Sequence, residues 1–164
     1  GLPQHLYKVL KKEKSKKEKR KPAYVALGSD DRYYIRFTNG TSQWVGDGKS
    51  FDEAVFDGES NGGIRSVAFG KPGSWFIVYG NGSWSNLSNC LGLNNKIKAR
   101  HRRADLTCVS LGPNGEWFLA AKNRRKWWGG YSNASDLPMQ IESLKGRIKF
   151  TDFADDDAFI VRYE

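Results

Sequence analysis

A unit of 42 residues recurs without insertion or deletion along most of the 164-residue chain, and this period constrains the fold more than any other feature. Gly28, Gly70, Gly112 and Ala154 stand 42 residues apart, preceded by the matching segments Tyr24-Val25-Ala26-Leu27, Ser66-Val67-Ala68-Phe69, Cys108-Val109-Ser110-Leu111 and Phe150-Thr151-Asp152-Phe153. Turn formers follow: Ser29-Asp30-Asp31, Lys71-Pro72-Gly73, Pro113-Asn114-Gly115 and Asp155-Asp156-Asp157. A second run then occupies residues 33–37, 75–79, 117–121 and 159–163. Its alternate positions are apolar or aromatic in every unit (Tyr33/Ile35/Phe37, Trp75/Ile77/Tyr79, Trp117/Leu119/Ala121, Phe159/Val161/Tyr163), the period-two pattern of a strand with a buried face. The opposite face is mixed, which implies a neighbour on both sides. Asn39-Gly40 and Asn81-Gly82 signal two-residue type I′ hairpins, and Asn123-Arg124, a poorer turn, holds that place in the third unit. Third strands are expected at 41–45, 83–86 and 125–128.

Helical character appears between the units. Residues 50–56 offer Ser50 as a cap with a carboxylate three positions on, 87–98 are a looser case, and 135–144 place Leu137, Ile141 and Leu144 on one face. The first ten residues look like the same element, with Leu2, Leu6, Val9 and Leu10 apolar. The prediction is a mostly β chain. Residues 1–21 form a partial linking helix and basic tail, and 22–164 form a tandem-repeat domain. Its quasi-equivalent units, at about 22–63, 64–105, 106–147 and 148–164, are each a three-stranded antiparallel sheet with short connecting helices, the last stopping after two strands. Four periods nearly match the chain length, so a propeller-like closed ring is favoured over an open array.

The units SVAFGKPGSWFIVYGNGSW and CVSLGPNGEWFLAAKNRRKWWGG resemble a Gly/Trp-rich repeat of uncharacterised eukaryotic proteins. Over about residues 22–164 they are also similar in length and punctuation to blades of WD-repeat and tectonin-type propellers, although the Trp-Asp dipeptide and Gly-His pair of WD repeats are absent. The resemblance implies a domain that binds proteins, nucleic acids or glycans.

The residue inventory argues against catalysis. The two histidines, His5 and His101, both lie in basic segments, which leaves no zinc spacing and no nucleophile–base arrangement. Asp152 with Asp155–Asp157 could hold a hard cation, but the other units carry turns at the same place, so a polar turn is the better account. Gly62-Gly63 and Gly129-Gly130 lack the Lys and Ser/Thr of a phosphate loop. No cofactor or metal is expected. Trp75 and Trp117 belong to the core by their repeat position; Trp44, Trp84, Trp127 and Trp128 fall on third strands, where they either cover a helix or stack on a sugar or base. Cys90 and Cys108 point weakly to a reducing compartment, with a disulfide between them the less favoured alternative. With no apolar leader visible, an intracellular protein is expected, cytoplasmic or nuclear.

Charge is the remaining signal. The net charge is +9, and residues 8–21 (KVLKKEKSKKEKRK) account for +7 of it. This arm (Lys11, Lys12, Lys14, Lys16, Lys17, Lys19, Arg20, Lys21) is interrupted by Glu13 and Glu18, and its second half should be extended or a frayed helix. A second basic group combines Lys96, Lys98, Arg100, Arg102 and Arg103 with Lys122, Arg124, Arg125 and Lys126, beside Trp127 and Trp128. These groups predict a non-enzymatic binding or scaffold module whose partner is a protein or assembly with acidic surface. Salt-sensitive binding of RNA or single strands by the same groups is the alternative, and glycan binding by third-strand aromatics a further one.

Overall fold

The computed structural model describes residues 2–16, 19–100, 103–122, 124–130, 137–144, 148–153 and 159–163. In chain order the elements are α1 (Gln4–Ser15), β1 (Pro22–Leu27), β2 (Tyr33–Phe37), β3 (Ser42–Val45), α2 (Lys49–Phe56), β4 (Ile64–Phe69), β5 (Trp75–Tyr79) and β6 (Trp84–Leu87). There follow α3 (Leu91–Lys98), β7 (Leu106–Leu111), β8 (Trp117–Ala121), β9 (Lys126–Gly129), α4 (Leu137–Ser143), β10 (Ile148–Phe153) and β11 (Phe159–Tyr163). They form three three-stranded antiparallel sheets, β1-β2-β3, β4-β5-β6 and β7-β8-β9, and a two-stranded sheet β10-β11. The register repeats with the sequence. Val25 faces Ile35, Val67 faces Ile77, Val109 faces Leu119 and Thr151 faces Val161. A bulge follows the first strand residue in all four sheets, at Pro22/Tyr24, Ile64/Ser66, Leu106/Cys108 and Ile148/Phe150. Period-two counting alone did not disclose it, because one unpaired residue barely disturbs an apolar pattern.

Each sheet has a rear face toward the preceding helix and a forward face toward the next unit. On β5 the rear residues Trp75, Ile77 and Tyr79 pack with α2 residues Phe51, Ala54 and Val55, and with Tyr34 of the sheet before. The forward residues Phe76 and Val78 pack with Leu93 and Ile97 of α3, and with Trp117 and Leu119 of the sheet after. The same alternation seats Leu6, Val9 and Leu10 of α1 on Tyr33, Ile35 and Phe37, and Leu137 and Ile141 of α4 against Phe118 and Val161. The middle strands are therefore buried on both faces, as their mixed pattern implied. Every helix contributes an i,i+4 apolar pair to its wedge: Leu6/Leu10, Phe51/Val55, Leu93/Ile97 and Leu137/Ile141.

The first strands pack on one another in the order β1, β4, β7, β10, and the helices fill the space that opens outward. Two features let the first strands approach. A Cβ at Gly28 would lie 2.5 Å from the Cβ of Phe69, and one at Gly70 would lie 3.2 Å from that of Leu111, so the repeated glycine clears the next unit. Polar hooks also cross the joints. The Tyr24 hydroxyl accepts from Val67 N at 2.9 Å and lies 3.1 Å from Val67 O, while Ser66 Oγ donates to Val109 O at 3.4 Å, one unit further on.

Several local expectations change. α2 starts at Lys49 from Gly48, with no side-chain cap, so Ser50 is inside the helix. Residue 87 closes β6, and α3 begins at Leu91. The third strands start and end one residue later than expected, or start one later with the same end in the first sheet. The Asn-Gly turns are not type I′. Gly40 N donates to Phe37 O at 3.0 Å with only Gly40 left-handed, a type I turn closed by a glycine, and Asn39 Oδ1 accepts from Thr41 N at 3.2 Å. Two consecutive left-handed residues occur instead at Asp30 and Asp31. Both cysteines are free. Cys90 serves the joint between sheets two and three and Cys108 the next joint, on opposite faces of one sheet. Ser135 and Asp155–Asp157 lie outside the described residues.

Candidate functional site

The topology gives the stacked sheets two rims. One carries the turns between first and second strands and the helix N-termini; the other carries the turns between second and third strands, the starts of the first strands and the helix C-termini. The first rim holds the acidic groups Asp30, Asp31, Asp47, Asp52, Glu53 and Glu116. There Asp31 Oδ1 accepts from Gln4 N at 2.9 Å, at the positive end of the α1 dipole.

The second rim is basic, and it brings together stretches far apart in sequence. Main-chain bonds of one repeated kind tie each entering segment to the neighbouring turn: Thr38 N to Lys21 O at 2.8 Å, Gly80 N to Gly63 O at 2.7 Å and Lys122 N to Asp105 O at 2.9 Å. Lys19 and Lys21 are therefore delivered to the same rim as Arg65, Arg103, Lys122, Arg124 and Arg125, all exposed. The last turns of α1 and α3 add Lys12, Lys14, Lys96 and Lys98. Among the described residues none of these cations makes an ion pair. Among the described residues, the carboxylates on this rim without an ion pair are Asp57, Glu59 and Glu142. Arg65 was not singled out by sequence, since one arginine between apolar runs carries no signal until its rim is known.

Arg124 stands where the other two units have Gly40 and Gly82, and it adopts the same left-handed backbone, with φ of 62° beside 85° and 90°. For a non-glycine residue this conformation costs about 1 kcal/mol. The turn has exchanged backbone ease for a cation at the rim. Asn123 lies outside the described residues.

Other members of the expected groups are committed to the fold. Arg100 is buried, ion-paired to Asp105, with its guanidinium carbon 4.4 Å from the Trp127 ring centre. Lys126 Nζ donates to Ile141 O at 2.5 Å, closing the C-terminal end of α4, and burial lowers its pKa. Trp127 packs into the joint behind its sheet and Trp128 into the joint ahead. Trp44 donates from Nε1 to Asp52 at 2.8 Å and meets Phe56 edge-on, while Trp84 backs α3. In the arm, Glu13 is buried and paired with both Lys16 and Arg20, and Arg20 lies 4.3 Å from the Phe37 ring centre. These cations hold the Glu13 carboxyl down to about 2. The arm is thus ordered helix to Ser15 and is tied back at Arg20, because Glu13 binds the cations rather than merely diluting them. Lys11 is exposed. Arg102, His101 and Lys17 lie outside the described residues.

A cavity of about 580 Å³ runs along the first strands, lined by Tyr24, Arg65, Ser66, Val109, Phe150 and Arg162 among others. Cys108 borders it, its thiol pushed up to about 11 by burial, far from a nucleophile's range. His5 Nδ1 lies 2.7 Å from the Tyr33 hydroxyl and is held against that ring. Among the described residues there is no cluster of metal-ligating side chains and no helix long and apolar enough to cross a membrane. No protein-family model, curated protein or solved structure matches the chain.

Proposed function

We propose that this chain is a non-enzymatic interaction module, built as successive blades of a propeller-like ring, that binds an acidic protein surface through its basic rim. The observation that carries the proposal is Arg124. A strained backbone persists where something is gained by it, and the gain available at an exposed turn is the charge. Around it, the ends of two sequence-distant basic stretches converge on one rim, while the opposite rim carries Asp30, Asp31, Asp47, Asp52, Glu53 and Glu116. A field of one sign across a surface steers and orients a partner of the other sign. The placement of Trp127 and Trp128 inside the joints favours an acidic protein over a nucleic acid, since base stacking needs open aromatic faces.

The test is fluorescence anisotropy with a labelled poly-glutamate peptide and a single-stranded RNA, each about 20 units long, at about 50 and 200 mM salt. Poly-glutamate binding is expected at the lower salt, weakened strongly at the higher and abolished in an Arg124→Glu/Arg125→Glu variant. RNA bound more tightly than poly-glutamate at the higher salt would move the assignment to nucleic acid. Absence of binding to both at the lower salt would overturn it.

A further inference from the structure

The wedge between a sheet's rear face and its helix is closed by different residues in different units. In sheet three, Trp127 stands opposite Leu119 and packs against the cluster that holds Leu93 and Ile97 of α3, with Arg100 over its ring. In sheet two that register belongs to Ser85, and the middle strand closes the wedge instead: the Tyr79 hydroxyl donates to Ala54 O of α2 at 2.8 Å. Sheet one has neither device. Gln43 holds the register of Ser85 and Trp127, and Phe37, which has no hydroxyl, holds that of Tyr79. The wedge there stays open as a cavity of about 560 Å³, lined by His5, Lys8, Lys12, Lys16, Arg20 and Gln43 among others.

The lining has one dominant charge. Lys8, Lys12 and Lys16 follow one face of α1 and its end, at steps of about 6 Å along the axis. Glu13 is the single carboxylate of the lining, and it is buried and paired with Lys16 and Arg20. Among the described residues Lys8 and Lys12 make no ion pair. Arg20 is fixed in place by Glu13, by Thr41 Oγ1, to which its Nη1 donates at 3.0 Å, and by the Phe37 ring. Its Nε and the Gln43 Oε1 are buried with no hydrogen-bond partner among the described residues. A donor and an acceptor desolvated in this way are costly to the fold unless something else bonds them.

We propose that this cavity binds a small phosphate-bearing polyol. Cations spread over two helical turns call for an anion with more than one charged group, and phosphate oxygens would meet Lys8, Lys12 and the Arg20 Nε. The Gln43 oxygen, an acceptor, calls for a hydroxyl on the same molecule. The volume lies within the roughly 300–1,000 Å³ of small-molecule sites. Arg20 is already positioned, so little ordering is needed on binding. The site lies behind sheet one, away from Arg124 and Arg125 in unit three, and stands independently of the rim reading.

The experiment is titration calorimetry of the full 164-residue chain with inositol trisphosphate, beside inositol and inorganic phosphate as separate probes. The trisphosphate is expected to bind at least about tenfold more tightly than inorganic phosphate, and inositol not at all. Gln43→Trp, which places unit three's side chain in the cavity, should abolish binding. Lys8→Ala/Lys12→Ala, a change of exposed side chains, should weaken it about tenfold or more. Circular dichroism matching the parent would show that each variant folds. Arg124→Glu/Arg125→Glu should leave the affinity within about twofold, whereas it abolishes poly-glutamate binding if the rim reading holds. Vesicles of phosphatidylcholine with and without phosphatidylinositol bisphosphate separate two sources of the same chemistry. Tighter binding to the phosphorylated vesicles, lost in the same variants, would name a lipid headgroup; tighter binding of the free trisphosphate would name a soluble ligand, and either sustains the cavity. No binding up to about 1 mM, or no preference over inorganic phosphate, would overturn the proposal. So would binding that survives Gln43→Trp and the double lysine variant.

Discussion

The joint between units one and two and the joint between units two and three have the same backbone packing and each bury an apolar layer, but the first adds charged side-chain bonds to it. In the first, buried Arg32 is ion-paired to Asp47 at 2.7 Å and donates across the joint to Gly70 O at 2.6 Å and Ser74 O at 3.2 Å. Tyr24 and Arg36 add further bonds to the main chain of unit two. In the second, Phe76, Val78, Leu93, Ile97, Trp117 and Leu119 form an apolar layer, and its polar crossings are uncharged: Ser66 Oγ to Val109 O, Leu106 N to Gly82 O at 3.1 Å and Cys90 Sγ to Gly115 O at 3.0 Å. The repeat therefore fixes where units meet without fixing how. An apolar joint tolerates substitution while volume is conserved, whereas the polar joint holds one register through bonds that no substitute geometry can satisfy.

The largest effect that would break this comparison is Arg32→Ala. It removes the cation paired with Asp47 and the side-chain donor to Gly70 O and Ser74 O, and a loss of about 3–5 kcal/mol is expected in urea unfolding. Ser66→Ala, at the corresponding crossing of the apolar joint, should stay within about 1 kcal/mol because its bond is long and its removal leaves only a carbonyl with other options. Equal losses in the two variants would show that the joints share one energetic basis. A smaller change sharpens the contrast between units two and three: Arg124→Gly should raise stability by about 1 kcal/mol in the same assay while weakening poly-glutamate binding. Stabilisation without loss of binding would separate the strained turn from the rim's function.

The mildest perturbation is acid. Arg20 and Lys16 hold the Glu13 carboxyl at about 2, below its ordinary 4.5. A depressed carboxyl contributes stability above its unfolded value and loses it as pH falls through the folded value. The docking of α1 on sheet one is expected to weaken between pH 4.5 and about 2, before the internal joints do, with α1 amides exchanging faster by hydrogen–deuterium measurement. Glu13→Gln should remove this pH dependence and show the faster exchange already at neutral pH. The joint between units two and three, whose crossings carry no carboxylate, should stay protected over that window.

The repeat, the first and second strands, the two-stranded fourth sheet and the core role of Trp75 and Trp117 were legible from residue order, because strand alternation and turn chemistry are local and recur at a fixed interval. The bulge, the turn type at Asn39-Gly40 and the start of α2 were less so, since each depends on one residue's backbone angles. The basic groups were legible as composition and misleading as a site. Arg100 beside Asp105, Lys126 over the end of α4 and Arg20 on Glu13 have partners that are set by packing, while Arg65 gains its place only when the rim is assembled.

By itself the sequence determined a chain of equivalent β units joined by helices, because apolar periodicity dictates which faces must leave water. Only the tertiary structure decided which cations remain free and which are committed to packing. Charge becomes directional once antiparallel strands send their turns to two rims.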